Sequence, residues 1–151
     1  AKGDDSRALT NNKGITNPVG AAALALGQDW RALDAAIFYH ARDKGLDYES
    51  NKIQYGPLTK WHINEHNQLV GEIELPTPVS TVAKTLNLPT YKQASTLVEN
   101  ISANQLGQVF AALGLAGNFA ALLELATHGI SESFNAINRQ HSLKESAPTS
   151  K

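Results

Sequence analysis

Residues 11–32, NNKGITNPVGAAALALGQDWRA, decide how this chain is expected to fold. Asn17 is a residue type that caps helix N-termini, and Pro18 fits the first helical position. Apolar residues then recur at the spacing of one helix face: Ala22, Leu26, Trp30, Leu33, Ile37 and Ala41. The pattern predicts one long helix from Pro18 to about Lys44, ended by Gly45. Its small residues allow close packing, so we expect it at the centre of the fold.

The middle of the chain has the pattern of a β-hairpin. Residues 58–63 alternate apolar and polar side chains, residues 64–67 are turn formers, and residues 68–75 form the return strand. Pro76 and Pro78 end that strand, because proline cannot donate to a sheet. On either side of the long helix, residues 1–12 are predicted to be irregular and residues 46–57 to form a polar loop.

Helical patterns fill most of the second half. We predict helices over residues 80–86, 89–100, 103–113, 118–127 and 131–139, with Pro89 opening the second and Ser102 capping the third. Residues 142–151 have the composition of disordered segments. The predicted fold class is therefore α+β, mostly helical, with a long central helix and a small antiparallel strand pair.

Composition excludes several kinds of function. The 151 residues carry a net charge of −1, so no basic surface favours nucleic acid or an anionic membrane. The longest apolar stretch, 109–125, is interrupted by Gly114, Gly117 and Asn118, and we predict no membrane span. The absence of Cys excludes disulfides, thiolate catalysis and Cys-ligated metals. The chain also lacks Met, even at position 1, which we interpret as the mark of a processed or clipped polypeptide.

Colinear segments of the chain resemble the class II 3-hydroxy-3-methylglutaryl-CoA (HMG-CoA) reductases. Lys13 lies in NKGITN and Asp29 in GQDWRA, at the spacing of that family, and Arg7 in DDSRALTNNKG takes the place of a family Arg. Residues 68–82 and 110–130 resemble two further segments. The resemblance implies the C-terminal part of the large, substrate-binding domain over residues 1–139, with residues 140–151 as a flexible tail and truncated flap.

The resemblance also implies an activity and site residues. The family interconverts HMG-CoA and mevalonate by two hydride transfers with NADH or NADPH. Lys13 would polarise the reacting carbonyl, Asp29 would orient that lysine, and Asn17 would position the pair. Arg7 would bind the free carboxylate of the substrate. Implied partners are HMG-CoA or mevalonate, CoA, and either a second copy or the N-terminal half of a reductase; the implied localisation is cytoplasmic.

The residues by themselves leave two positions of Asp29 open and also suggest a metal site that has to be weighed. Asp29 falls within an apolar helical pattern and could pair with Lys13, or it could lie on a solvent face beside Arg31, as most carboxylates do. His62 and His66 have a zinc-like spacing, but they span a strand end and a turn, where two solvated histidines are the expected result. We predict no metal site.

Several departures from the family pattern bear on catalysis. Phe134 stands where the family has the His that protonates the CoA thiolate, Gly117 replaces a Gln, and Ala83 and Lys84 replace paired glycines. Residues 46–53 resemble an insertion. The general-acid Glu and the dinucleotide domain of the family belong to an N-terminal half outside this chain. Two hypotheses follow: part of an enzyme completed by that half, or a non-catalytic relative that binds a CoA thioester or serves a structural role.

Overall fold

The computed structural model describes residues 4–44, 46–47, 52–53, 55–81, 89–127, 129 and 135. In chain order the elements are α1 (Asp5–Ala25), α2 (Trp30–Lys44), β1 (Leu46–Asp47), β2 (Lys52–Ile53), β3 (Thr59–Ile63), β4 (Leu69–Ile73), α3 (Pro89–Thr96) and α4 (Ala103–Thr127). Strands β1 and β2 form one antiparallel pair, and β3 and β4 form another. The predicted class, mostly helical α+β with an antiparallel strand pair, is confirmed. The predicted helix 131–139 and tail 140–151 lie outside these residues, except Asn135.

Helix α1 begins well before the predicted start at Pro18. The Asp4 side chain caps it by accepting a hydrogen bond from the Arg7 backbone N–H at 3.1 Å. The prediction of an irregular segment up to residue 12 is therefore wrong, and Pro18 lies inside the helix. Pro18 has no N–H, so the carbonyl of Gly14, four residues earlier, loses its usual helical donor. The proline ring lies against Gly117 of α4, where the absence of a side chain leaves room for it.

The predicted single long helix is two helices separated by a tight turn. Gly27 has a left-handed φ of 66°, and its N–H donates to Leu24 O, while the Gln28 N–H donates to Ala23 O at 2.8 Å. This pair of bonds is the Schellman ending of a helix. Asp29 then starts α2 by accepting hydrogen bonds from the N–H groups of Arg31 and Ala32. Asp29 therefore caps a helix rather than interrupting one.

The central hairpin matches its prediction. Strands β3 and β4 pair from Thr59↔Ile73 to Ile63↔Leu69. The turn is stabilised by Asn64, whose side-chain oxygen accepts the N–H groups of His66 and Gln68, and Asn67 adopts a φ of 59°. The predicted loop 46–57 is wrong at residues 46–47 and 52–53, which pair as β1 and β2.

Helix α4 is continuous where two helices were predicted. Its cap at Ser102 is confirmed, because Ser102 and Gln105 exchange side-chain-to-backbone hydrogen bonds in a capping box. Gly114 and Gly117 do not break the helix; they let it approach α1 closely, and a Cβ at Gly114 would lie 2.9 Å from Ile15 Cγ2. Helix α3 begins at Pro89 as predicted but ends at Thr96. Most of the predicted helix 80–86 lies outside the described residues, and residues 80 and 81 are not helical.

The core forms where α1, α2 and α4 meet. Each helix contributes residues three or four positions apart, the spacing of one helix face. The buried apolar residues of this cluster are Ile15, Val19, Ala23, Leu33, Ile37, Ala41, Leu58, Leu106 and Phe110. The opposite side of α4 is apolar and exposed, at Val109, Phe119 and Leu123. Among the described helices, α4 is the one whose length and composition would allow it to cross a membrane, a property that core helices share.

Candidate functional site

Lys13 lies in a cleft between α1 and α2. One face of α1 contributes Lys13, Thr16, Asn17 and Gly20, which follow each other at helical spacing. The facing stripe of α2 contributes Trp30, Leu33, Asp34 and Ile37. The cavity between them has a volume of about 240 Å³. Buried core residues line the bottom of this cavity. The exposed side chains of Lys13 and Asp34 contribute one cation and one anion to it.

A second cavity adjoins the first on the other side of Lys13. It has a volume of about 140 Å³ and is lined by Leu9, Asn12, Phe38 and Tyr55 together with three residues of the first cavity. Those shared residues are Lys13, Thr16 and Asp34. Lys13 and Asp34 therefore stand at the boundary between two recesses, within reach of a ligand that occupies either one.

Asn17 is the predicted site residue that the structure brings together with Lys13. It follows Lys13 by four positions on α1, and both side chains line the larger cavity. An amide at this position can donate to or accept from a ligand held against the lysine. This agrees with the positioning role expected of Asn17, which stays a prediction.

Asp29 lies outside both cavities. Its side chain is exposed, contacts Arg31 at 3.7 Å, and accepts the N–H groups of Ala32 and Arg31 at the start of α2. The hydrogen bond from the Ala32 backbone, helped by the Arg31 charge, lowers the Asp29 pKa below its ordinary value of 3.8. Of the two positions left open by the sequence, the structure places Asp29 beside Arg31 in solvent. Its role of orienting Lys13 stays a prediction.

Arg7 is also exposed and lines neither cavity. Its guanidinium pairs with Asp4 at 3.5 Å, one helical turn earlier, and its side chain is 78% exposed. Exposed pairs of this kind are weak, so Asp4 would release the guanidinium to a stronger carboxylate partner at small cost. The substrate-binding role of Arg7 stays a prediction.

Two buried asparagines fix the backbone of α1 just before Lys13. Asn12 donates to Gly56 O at 2.9 Å and accepts the Leu58 N–H at 3.0 Å, which ties α1 to the start of β3. Asn118 of α4 donates to Asn11 O at 2.9 Å and accepts from Trp61 Nε1 at 2.9 Å. Buried amides with full sets of partners are rigid, so the turn of α1 that carries Lys13 is held from two sides.

The sequence reasoning missed Asp34 and Tyr55. Burial raises the pKa of the Tyr55 phenol above 10.0, with a smaller opposing effect from the Asn12 side chain and a further increase from the Asp34 charge. The phenol is therefore a neutral donor at the end of the smaller cavity. The ring of Phe38 lies 5.2 Å from that of Tyr55, centroid to centroid. The helical periodicity of apolar residues in α2 does not single out Asp34. The position of Asp34 in the cleft depends on how α2 folds back on α1.

The described residues bring together no cluster of metal ligands, and the two cavities at Lys13 are small. Within them, no group of three or more His, Asp or Glu side chains converges as a metal would require. His62 instead contacts Glu72 at 3.7 Å across the hairpin, and His66 is exposed in the turn. The two cavities at Lys13 are also smaller than the roughly 300–1,000 Å³ of typical drug-sized ligand sites.

Comparison with known proteins places this arrangement in a family. The family model for hydroxymethylglutaryl-coenzyme A reductase matches residues 1–139. The chain belongs to the HMG-CoA reductase family. It is 37% identical over 131 residues to the 3-hydroxy-3-methylglutaryl-coenzyme A reductase of Archaeoglobus fulgidus, covering 86% of this chain. It is also 37% identical over 128 residues, 84% of this chain, to a probable reductase of Borreliella burgdorferi.

Solved structures of the reductase of Streptococcus pneumoniae share the fold. One superposes with a TM-score of 0.73 at 38% identity, over 84% of this chain and 33% of that one. Another has a TM-score of 0.74 at 35% identity, over 99% of this chain and 34% of that one. The chain spans 28% of the length of each curated reductase above. The resemblance to class II reductases read from residues 4–139 is confirmed.

Proposed function

We propose that this chain supplies the substrate-binding side of an HMG-CoA reductase, which interconverts HMG-CoA and mevalonate. The observation that carries the proposal is the position of Lys13: an exposed ammonium in a cleft between α1 and α2, on a backbone held by buried Asn12 and Asn118. An accessible cation carried on a firmly held backbone suits the stabilisation of a developing oxyanion.

In this proposal each predicted site residue has one task. Lys13 donates a hydrogen bond to the thioester carbonyl of HMG-CoA and then to the carbonyl of the aldehyde intermediate, where negative charge develops on oxygen. Asn17, on the same helix face, holds the reacting group against the ammonium. Arg7 exchanges Asp4 for the free carboxylate of the substrate. Asp29, placed at the α1–α2 turn, orients the lysine once the site is complete.

The nicotinamide coenzyme, NADH or NADPH, would be held outside this chain. It would supply the hydrides, and the small cavities at Lys13 do not fit a dinucleotide. We assign residues 1–139 to the C-terminal part of the large domain. The dinucleotide domain and the general acid then belong to the remainder of a longer reductase.

Helix α4 supports association with that remainder or with a second copy. Its exposed side carries Val109, Phe119 and Leu123, each at least 41% exposed. Apolar side chains clustered along one helix face are typical of surfaces that another protein segment covers. We propose that the assembled enzyme covers this face and works in the cytoplasm.

The intact mass of the polypeptide that cells produce comes first, because it shows whether this chain is part of a longer reductase. The test is then HMG-CoA-dependent oxidation of NADH or NADPH by that polypeptide. Lys13→Ala is expected to lower kcat by about 100- to 1,000-fold, the effect of removing one oxyanion donor. Lys92→Ala on α3 is the matched control, since it removes an exposed lysine outside the cleft.

Full activity of the Lys13→Ala variant would contradict the proposed role. A polypeptide that binds HMG-CoA through Lys13 but does not oxidise the coenzyme would instead support the non-catalytic hypothesis of a CoA-thioester binder.

A further inference from the structure

We propose that Asp34 is a further substrate-facing residue of the Lys13 cleft, where its carboxylate accepts a hydrogen bond from the 3-hydroxyl group of the substrate. The inference rests on the proposed function and adds to it the group that recognises this hydroxyl.

The position of Asp34 is the first argument. Among the described carboxylates, Asp34 alone lines either cavity at Lys13, and it lines both. It lies on the stripe of α2 that faces α1, one turn after Trp30. Asp29, the carboxylate expected beside the lysine, lines neither cavity, and its Oδ1 accepts the Arg31 and Ala32 N–H groups at the start of α2. The anion available to a ligand in the cleft is therefore Asp34.

The second argument is that Asp34 is not used by the fold. In the described part of the chain the Asp34 carboxylate accepts no hydrogen bond within 3.5 Å and forms no ion pair within 4.0 Å. Its negative charge adds to the rise of the Tyr55 pKa. Lys13 likewise has no ion-pair partner there. An exposed carboxylate without a structural partner contributes little to stability, so its removal should leave the fold intact.

The chemistry of the substrate fits this pair of charges. In the HMG thioester, one methylene carbon separates the thioester carbonyl from the carbon that bears the 3-hydroxyl. The carbonyl oxygen is a pure acceptor, which suits the Lys13 ammonium, and the hydroxyl is a donor, which suits a carboxylate. One ligand can therefore present both groups to the cation and the anion of the same cleft. A carboxylate also selects for the hydroxyl, because a ligand that lacks the hydroxyl gives the carboxylate no hydrogen-bond donor.

The test compares two ligands that differ only in this hydroxyl: 3-hydroxy-3-methylglutaryl-CoA and 3-methylglutaryl-CoA. Their dissociation constants are measured by calorimetry with the polypeptide as cells produce it. The unmodified protein is expected to bind the hydroxylated ligand about tenfold or more tightly, the effect of one hydrogen bond to a charged group. Asp34→Ala should bring the ratio close to one, and Asp34→Asn, which keeps a neutral acceptor, should give an intermediate ratio.

Glu65→Gln, in the exposed turn of the hairpin, is the matched control and should keep the full preference. If Lys13→Ala weakens both ligands while Asp34→Ala leaves their ratio unchanged, the assignment of Asp34 is wrong and the proposed function stands. If Lys13→Ala binds both ligands as well as the unmodified protein does, the proposed function fails and the assignment fails with it. An unmodified protein without any preference for the hydroxyl also overturns the assignment.

Discussion

Replacing Gly117 with alanine tests how α1 and α4 are held together beside the Lys13 cleft. A Cβ at this position would lie 2.5 Å from Pro18 Cγ and 2.7 Å from Gly14 O. Neither a proline ring nor a helical carbonyl can rotate away, so the helices must separate. Overpacking of this kind costs about 1–3 kcal/mol, and two rigid contacts place Gly117 in the upper part of that range.

The gain in helix propensity from glycine to alanine offsets about 1 kcal/mol of that cost. We therefore expect Gly117→Ala to lower the free energy of unfolding by about 2 kcal/mol, which for a chain of this size lowers the melting temperature by about 4–8 °C. Urea unfolding followed by far-ultraviolet circular dichroism measures the change. The expected direction is opposite to that of an ordinary glycine-to-alanine change in a helix.

Gly20→Ala is the matched control. Gly20 also lies inside a helix, but a Cβ there would meet nothing within 4 Å, so alanine should stabilise by about 0.5–1 kcal/mol. In a Pro18→Ala background, Gly117→Ala should be less destabilising, because one of its two close contacts is gone. If Gly117→Ala stabilises the protein as Gly20→Ala does, the close approach of the two helices at Gly117 is wrong.

Two further variants test the residues that hold α1 and start α2. Asn118→Ala should lower the free energy of unfolding by about 2–4 kcal/mol, because it removes the hydrogen-bond partner of Trp61 Nε1 and Asn11 O. A urea titration that shows no loss of stability would contradict the importance of these Asn118 hydrogen bonds. The Asp29 pKa is lowered because the Ala32 N–H and the Arg31 charge stabilise the charged form of its carboxyl group. The stabilising effect of Asp29 should therefore be fully present above pH 3.8, the pKa of this group in the unfolded chain. It should disappear as the pH falls through the lowered pKa of the folded protein. The stability advantage over Asp29→Ala should therefore shrink in acid, and an advantage that grows as the pH falls would refute the assignment.

The hairpin was predictable because its determinants are local. Alternation from residue 58 sets the strand faces, and Asn64 and Asn67 supply the turn: one accepts backbone N–H groups and the other adopts a left-handed φ. Ser102 is a second such case, since a serine three residues before a glutamine carries its own capping signal. In both places the residues that decide the structure lie within a few positions of each other.

Pro18 was expected to open α1, but its place inside the helix depends on a distant residue. Pro18 suits a first helical turn on local grounds, and the chain uses it inside a helix because Gly117, nearly a hundred residues later, leaves space for its ring. The break after Ala25 is different. Gly27 and Asp29 carry the ordinary signals of a helix end and a helix start, but they were read as positions of a family motif. The local signals for a break were therefore present, but the helical spacing of apolar residues from Ala22 to Ala41 favoured one continuous helix in the prediction.

The candidate site divides in the same way. Lys13 and Asn17 were assigned from the resemblance of one segment to the family motif, and they line one cavity. Asp34 could not, because nothing in the residues around it distinguishes a carboxylate in a cleft from a solvated one. Its position follows from the turn at Gly27, which folds α2 back along α1. A motif therefore identifies the side of the site on α1, while the tertiary fold determines the side on α2.

The close packing of Pro18 on Gly117 explains one departure from the family pattern, the glycine at position 117. Glycine in place of glutamine at position 117 looked like the loss of a functional residue, but any side chain there would overlap the Pro18 ring. Gly117 is thus explained by packing, and it no longer argues for a non-catalytic relative. Phe134 is a different matter, since a phenyl ring has no proton to give to a departing thiolate. In the proposed function, position 134 concerns release of CoA, whereas Lys13, Asn17 and Asp34 would act on the acyl group. Binding and discrimination of the acyl group should therefore persist even where turnover is slow, which is why ligand affinities, rather than rates, test the roles proposed for Lys13 and Asp34 in the cleft.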